Sequence, residues 1–515
     1  GIGREALAVT TTGSDNTAVG KLALYANTTA SSNTAVGSDA LVSNTTGAQN
    51  VAVGNAALDA NTTGADNVAV GKNSLGANTT ADDNTAVGYE TLAANTTGTR
   101  NTASGSYSMG SNTTGGRNTA YGYSSLYTYN VTDSGTDYNT AVGYGSLFST
   151  TTGANNTAVG GLSLYTNTTG ERNSAFGYQA LYSNTTGERN TGVGNLPLYN
   201  NTTGIRNTAL GNQTLYSNTT GQYNTAAGYA ALGNNTTASN QTGVGYFALV
   251  NATTGAENTA VGAYAMQNCT TGTNNVAVGR YALQYMSTPS NNSAFGDASL
   301  YSLTTGANNT ALGKTTAYAT TTGSNNVAVG HQALGSNTTA DNNTAVGQNA
   351  GEDNTTGSQL TFLGTDAGKN NTTGARNTCL GYQAGDDLTT GSDNICIGYL
   401  TDTASSSRAQ SITIGNDIDS LGDNEFTFGK SGNRVYNNFA TNASWSRSSD
   451  ERLKTNIKDD TLGLDFINRL QPRTFQWKPS NEVPKDLTDS YSETNKMDTS
   501  VVMNGFIAQE VKQAL

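Results

Sequence analysis

The sequence predicts an all-β fold: a trimeric parallel β-solenoid, or β-roll, of 17-residue repeats, followed by a small α+β segment. Three observations lead there. A glycine returns every 17 residues, a turn motif keeps a fixed place within each period, and the composition changes abruptly near Trp445. The chain has 515 residues, 61 of them Gly, with 35% hydrophobic and 12% charged residues. That hydrophobic content is below the usual globular range, yet so low a charge is unlike a solvated disordered chain. The formal net charge of -12 argues against electrostatic binding to nucleic acid or anionic lipid. No apolar run approaches about 18 residues, so no membrane-inserted helix is expected. Three Cys and one His exclude a disulfide framework and the usual Cys/His metal centres, and no cofactor or metal is expected. The chain opens on Gly1-Ile2-Gly3-Arg4, without Met or a signal peptide, as a fragment or a processed form would.

The repeat comes first because it decides the architecture. The glycine recurs at seven intervals of 17 from Gly3 to Gly122, once at 21 to Gly143, then at sixteen intervals of 17 to Gly415, or 24 intervals in all. The longer interval places a four-residue insertion around Tyr129–Asp137. Counted from that Gly as position 1, the unit reads G-Y-x-A-L-Y-x-N-T-T-G-x-x-N-T-A-V. Seventeen residues accommodate two short strands and two turns, whereas helical repeats need more than about 30 residues. Asn-Thr-Thr-Gly is turn chemistry, since Asn bonds its own backbone and Gly accepts positive φ. Thr-Ala-Val and Ala-Leu-Tyr read as the two strands. One coil per repeat, stacked in parallel at about 4.8 Å, gives a shaft on the order of 115 Å long.

Position 16 is nearly always small (Ala18, Ala35, Ala52) and position 17 is usually larger and apolar (Val19, Phe176, Leu210). Adjacent strand residues face opposite ways, so two successive apolar positions predict a strand buried on both faces. One face would fill the coil with Leu24 and Leu41. The other would meet neighbouring chains, and a homotrimer with the small Ala near its axis is the simplest closed solution. Near its end the ladder changes in an orderly way. Gly351, Gly368 and Gly385 take the position of the Leu, and Leu360 replaces an Asn. Cys379 and Cys396 take the Ala position in adjacent coils, close enough to consider a disulfide, although two inward-facing small residues are preferred. Ser411–Gly415 is the last recognisable coil, and Phe426-Thr-Phe-Gly429 reads as a variant cap.

Asn-Thr-Ala-Val-Gly followed by Ala-Leu resembles the head repeats of trimeric autotransporter adhesins of the YadA type. That resemblance spans about 415 residues and implies left-handed parallel β-rolls that trimerise, although the repeat here is longer.

The C-terminal segment differs in kind. Residues 448–515 hold 20 of the chain's 62 charged residues, together with Trp477 and three of the five Pro. The expected organisation is therefore a shaft over 1–430, a linker over 431–447 and a separate segment over 448–515. Gly463–Leu470 spaces apolar residues as a helix and stops before Pro472. Thr474–Trp477 reads as a strand, and Gly505–Val511 opens a second helix. Ser449-Asp-Glu-Arg-Leu-Lys454-Thr-Asn-Ile457, then Leu470-Gln-Pro472, then Gly505-Phe-Ile-Ala-Gln-Glu-Val511 resemble the intramolecular chaperone domain of the endosialidase type. The resemblance implies a module that assembles three chains, folds the β-rich trimer and is then cut off by a Ser–Lys pair. Carried over, the cleaved bond is Ser448–Ser449, with Ser449 as nucleophile and Lys454 as base or proton shuttle. Leu515 falls before the long C-terminal helices usual in that family. The chemistry is sound in itself: a Ser hydroxyl needs a base to take its proton. Lys454 can serve once burial lowers its pKa from about 10.4. No activity on an external substrate is expected.

The resulting expectation is a homotrimeric phage tail fibre or tail spike, located on the virion tail or an extracellular surface. Its partners would be other tail components and a host-surface glycan or protein receptor. The alternative is a bacterial cell-surface trimeric adhesin; autotransporters end in a membrane β-barrel anchor, whereas chaperone motifs stand here. Other features read as structural. The Asn-x-Thr sequons follow from the turn, and the Tyr ladder at positions 2 and 6 could stack on sugar rings, although packing along the roll is preferred. The adjacent Thr pair does not make a flat ice-binding array. Single carboxylates such as Asp59 and Glu171 form no pair, and His331 is an exposed bystander.

Overall fold

The computed structural model describes residues 1–131, 137–441, 463–484, 493–494 and 499–514. The chain divides into two units, Gly1–Arg447 and Ser448–Leu515. The first is the parallel β-solenoid that the period predicts. Three-residue strands run from Thr17–Val19 (β1) to Thr378–Leu380 (β22), and Ile395–Thr403 (β23) and Ile412–Ser420 (β24) continue the stack. Each strand pairs in parallel with the equivalent residues of the next coil, as in Thr17↔Thr34, Ala18↔Ala35 and Val19↔Val36. The 21-residue interval keeps this register, with Ala120↔Ala141 still paired. Glu425–Lys430 (β25) pairs in parallel with β24, and Asn433–Asn438 (β26) then folds back antiparallel on β25. The variant Phe426–Gly429 coil thus ends the stack as a hairpin.

Only one strand forms per coil. The Ala-Leu-Tyr stretch, expected as a second strand, is a turn with two left-handed residues. Position 3 carries φ 58° at Leu22, and position 5 carries φ 52° at Leu24. A left-handed residue with a side chain costs about 1–2 kcal/mol. Complete burial of a Leu returns about 1.5–3 kcal/mol, and Leu24 is fully buried. Its N–H also reaches the next coil, donating to the Ala40 carbonyl at 3.0 Å. Burial therefore outweighs backbone preference at this position.

The direction of the strand side chains also differs from expectation. Ala18 and its equivalents lie inside their own coil with Leu24, Leu41 and Leu58, forming one continuous core. Ala therefore does not sit near an axis between chains, and the strand is not buried on both faces within one chain. Positions 15 and 17 face outward together, because a three-residue strand sends its two ends to the same side. The outer face is a band of Thr and Val, and its apolar members stay open: Val19 is 37% exposed and Leu312 49%.

Two asparagine ladders complete the coil, and both are buried. At position 14, the Asn33 Oδ1 accepts the Asn50 N–H at 2.9 Å while its Nδ2 donates to the Gly47 carbonyl at 2.9 Å. At position 8, the Asn44 Nδ2 donates to the Asn27 Oδ1 at 3.2 Å and to the same Gly47 carbonyl at 2.9 Å. A buried amide left unpaired costs about 1–3 kcal/mol, so each Asn is held by its neighbours in the next coils. The position-8 ladder stops where its residue changes. Asn112 and Asn235 precede Tyr129 and Ala252, and among the described residues their Oδ1 atoms have no partner.

Candidate functional site

The second unit brings two of the three C-terminal motifs together. Leu464–Arg469 (α1) is the helix expected before Pro472, and Leu470 leaves it in an extended conformation. Arg473–Phe475 (β27) pairs antiparallel with Met503–Gly505 (β28), so Arg473 stands opposite Gly505. Ala508–Ala514 (α2) follows directly. The Arg473 guanidinium donates two hydrogen bonds to the Glu510 carboxylate, Nε to Oε2 and Nη2 to Oε1, each at 2.9 Å. This fork ties the first turn of α2 to β27 across an exposed surface, where solvent screens it. Phe475, Trp477, Val483, Pro484, Phe506 and Ile507 line an apolar cleft of about 510 Å³ beside it. Ser448, Ser449 and Lys454, the expected cleavage site and Ser–Lys pair, lie outside the described residues.

The order of the three motifs and the pairing of the last two point to one module. Residues 449–515 match the family described as Chaperone of endosialidase. No curated protein matches the chain. The Chaperone of endosialidase match begins at Ser449, the residue expected as nucleophile, and includes Lys454, α1, β27, β28 and α2.

Within the shaft, the sequence candidates resolve into packing. Cys379 and Cys396 are paired across adjacent strands as free, buried thiols. The hydrogen bond that the Cys379 thiol makes with Cys396, and then its burial, hold that thiol well above the ordinary range, the opposite of a reactive nucleophile. His331 is exposed. The sequon Asn side chains at position 8, such as Asn27, Asn44 and Asn61, are fully buried and so closed to modification in the folded coil. Position-6 aromatics stack along the roll: Tyr165, Tyr182 and Tyr199 have centroids 5.4 and 5.2 Å apart and near-parallel planes.

One cluster escaped the sequence reading. Asp386, Asp387 and Asp402 bring carboxylate oxygens within 4.8 Å of one another where the coils give way to the cap. Both Asp402 oxygens already accept backbone N–H groups, from Asp387 at 2.6 Å and Thr403 at 2.7 Å. Burial pushes the Asp402 carboxyl up to about 8, and Asp387 adds its charge in the same sense. Unfolded, the same group titrates near 3.9. The native state therefore holds a proton that the unfolded chain gives up, and stability is lost as pH rises from about 4 to about 8. Thermal unfolding or amide exchange of residues 395–438 should show this decline. Asp402→Asn should flatten it, and an unchanged slope in the variant would remove Asp402 as the cause.

Proposed function

We propose that the chain is a homotrimeric fibre of the phage tail-fibre or tail-spike kind, whose solenoid shaft reaches the host surface. The observation that carries this reading is the Chaperone of endosialidase match placed directly behind a long β-solenoid. The outer Thr–Val band supports association, because a long, mostly apolar row along one sheet face, interrupted at Ser104, is the kind of surface that folded chains cover. In this reading the C-terminal module assembles three chains and then leaves. Ser449 Oγ attacks the Ser448 carbonyl, Lys454 takes the hydroxyl proton and returns it to the departing amine, and water opens the resulting ester. The same pair needs no second protein, so cutting is intramolecular.

Light scattering of the purified protein should give three times 52.9 kDa, less any released segment. A stable, soluble monomer would overturn the trimer. Mass spectrometry of the full natural chain should place a new N-terminus at Ser449. Ser449→Ala and Lys454→Ala should each stay uncut while still forming trimers. Lys454→Arg should stay uncut too, since guanidinium keeps its proton at any usable pH. Cutting at another bond, or normal cutting of Ser449→Ala, would remove the assignment.

A further inference from the structure

The side chains at the surface positions of the shaft change from coil to coil, and in one stretch their combination opens a cleft. Position 3 varies along the shaft, from Leu22 and Leu162 to Asp39, Glu90 and Tyr107, and two successive coils carry the small residues Ser124 and Gly145 there, between aromatic residues at positions 2 and 6. These two small residues form the floor of a cleft of about 370 Å³. One wall is Tyr123 and Tyr144, parallel rings with centroids 5.7 Å apart. The facing wall is Tyr127, Phe148 and Tyr165, parallel rings at 5.4 and 5.1 Å. Tyr107 closes one end, edge-on to Tyr123 at an interplanar angle of 81°. Centroid spacings above 5 Å fit the offset stacking that ring quadrupoles favour, which leaves part of each ring face open.

We infer that this cleft is a binding site for a neutral saccharide unit, seated between the two aromatic walls. Five of the six rings carry a phenolic hydroxyl, and no charged side chain lines the cleft. Flat C–H-bearing surfaces beside many small hydroxyl donors and acceptors are the complement of a pyranose ring, which presents apolar faces and a polar rim. An anionic ligand would find no cation here. Tyr123 and Tyr144 are 50% and 60% exposed, so the wall is open to solvent in the single chain. The facing stack continues beyond the cleft through Tyr182, Tyr199 and Tyr216, giving an oligosaccharide a track along the shaft. This inference deepens the proposed host-contact role by naming a ligand class and a place, and its failure would leave trimerisation and self-cleavage standing.

The test uses the full chain, titrated with maltohexaose, mannohexaose and chitohexaose, with a sialic-acid tetramer and a proline-rich decapeptide as comparators. Tyrosine fluorescence and calorimetry give the readout. At least one neutral hexasaccharide should bind in the millimolar range or tighter. Ser124→Leu and Gly145→Leu fill the floor with a residue that position 3 carries in other coils at a left-handed φ, 58° at both Leu22 and Leu162. Each should weaken binding by about tenfold or more while circular dichroism and light scattering stay unchanged. Equal binding by both filled variants overturns the site. So does binding of the peptide or the anionic oligomer alone, or no binding by any neutral hexasaccharide at millimolar concentration. Protection of Tyr123 and Tyr144 from solvent in the assembled protein would assign the cleft to a second copy of the chain instead.

Discussion

Gly211→Ala is expected to open the coils on either side of it, while Gly204→Ala, seven residues earlier, leaves the shaft nearly unchanged. Both glycines stand over a carbonyl of the next coil: an added Cβ would lie 2.2 Å from the Gly228 oxygen at Gly211, and 2.5 Å from the Gly221 oxygen at Gly204. Proximity alone therefore does not separate them. Backbone conformation does. Gly211 has φ 130°, within the band of 126° to 143° shared by every position-1 glycine from Gly3 to Gly398. That region is closed to residues with a side chain. Gly204 carries no positive φ, and its position is occupied by alanine in other coils, at Ala30, Ala81, Ala238 and Ala340. Gly211→Ala should cost more than about 3 kcal/mol, and Gly204→Ala less than about 1 kcal/mol. A solenoid opens coil by coil rather than all at once, so the informative measurement is amide exchange across residues 190–240. Equal protection in the two variants would show that φ is not what fixes position 1.

The second large effect lies at the ladder's altered end, where Phe362 stands in a position held elsewhere by Ala. Phe362 is fully buried. An added Cβ at Gly351 would lie 2.8 Å from its ring and one at Gly368 2.5 Å, so the two missing leucines make room for one phenylalanine. Phe362→Ala should cost about 3–5 kcal/mol through the cavity it leaves. Gly368→Leu alone should also be strongly destabilising, because its side chain enters the same space. The double variant restores the common Ala–Leu pair. Gly368 has φ 57°, near the 49° to 55° at which the non-glycine residues of position 5 sit from Leu7 to Leu334. Coupling between the two substitutions should therefore be large and favourable. Thermal unfolding of the two single variants and the double would measure it, and simple additivity would mean that the two positions do not share a volume.

Much of this was legible because a period leaves little freedom. The glycine interval and the Asn-Thr-Thr turn pointed to a solenoid, the variant cap at Phe426–Gly429 marked its end, and the C-terminal motifs located α1, β27 and α2 closely; that the cap is a hairpin was not read. What the sequence hid has physical reasons. Ala18 and Val19 are both apolar, and a strand of three residues is too short for alternation to say which of them faces in. Leu24 in a left-handed turn runs against local preference, and only burial against the next coil stabilises it. The Asn ladders read only as local turn chemistry, because many of their partners are in other coils and not sequence neighbours. The Phe362–Gly368 exchange and the Asp386–Asp402 cluster likewise join residues that only stacking brings together. Ser449 and Lys454 were singled out by motif alone and lie outside the described residues.

The parallel register has a consequence for how such a shaft can vary. Each strand pairs with the residue 17 positions on, and even the 21-residue interval re-enters at the same place. Every position of the unit therefore stacks on its equivalent in the next coil, and the coil number sets its height. Positions 2, 3, 12 and 13 lie at or near the surface and already hold acids, bases, amides and rings in different coils. Exchanging them rewrites one line of the surface at a chosen height while Ala, Leu, Asn and Gly inside remain untouched. Recognition and folding are then encoded on separate tracks of the same tape, and a new ligand can be accommodated without any new solution to the core.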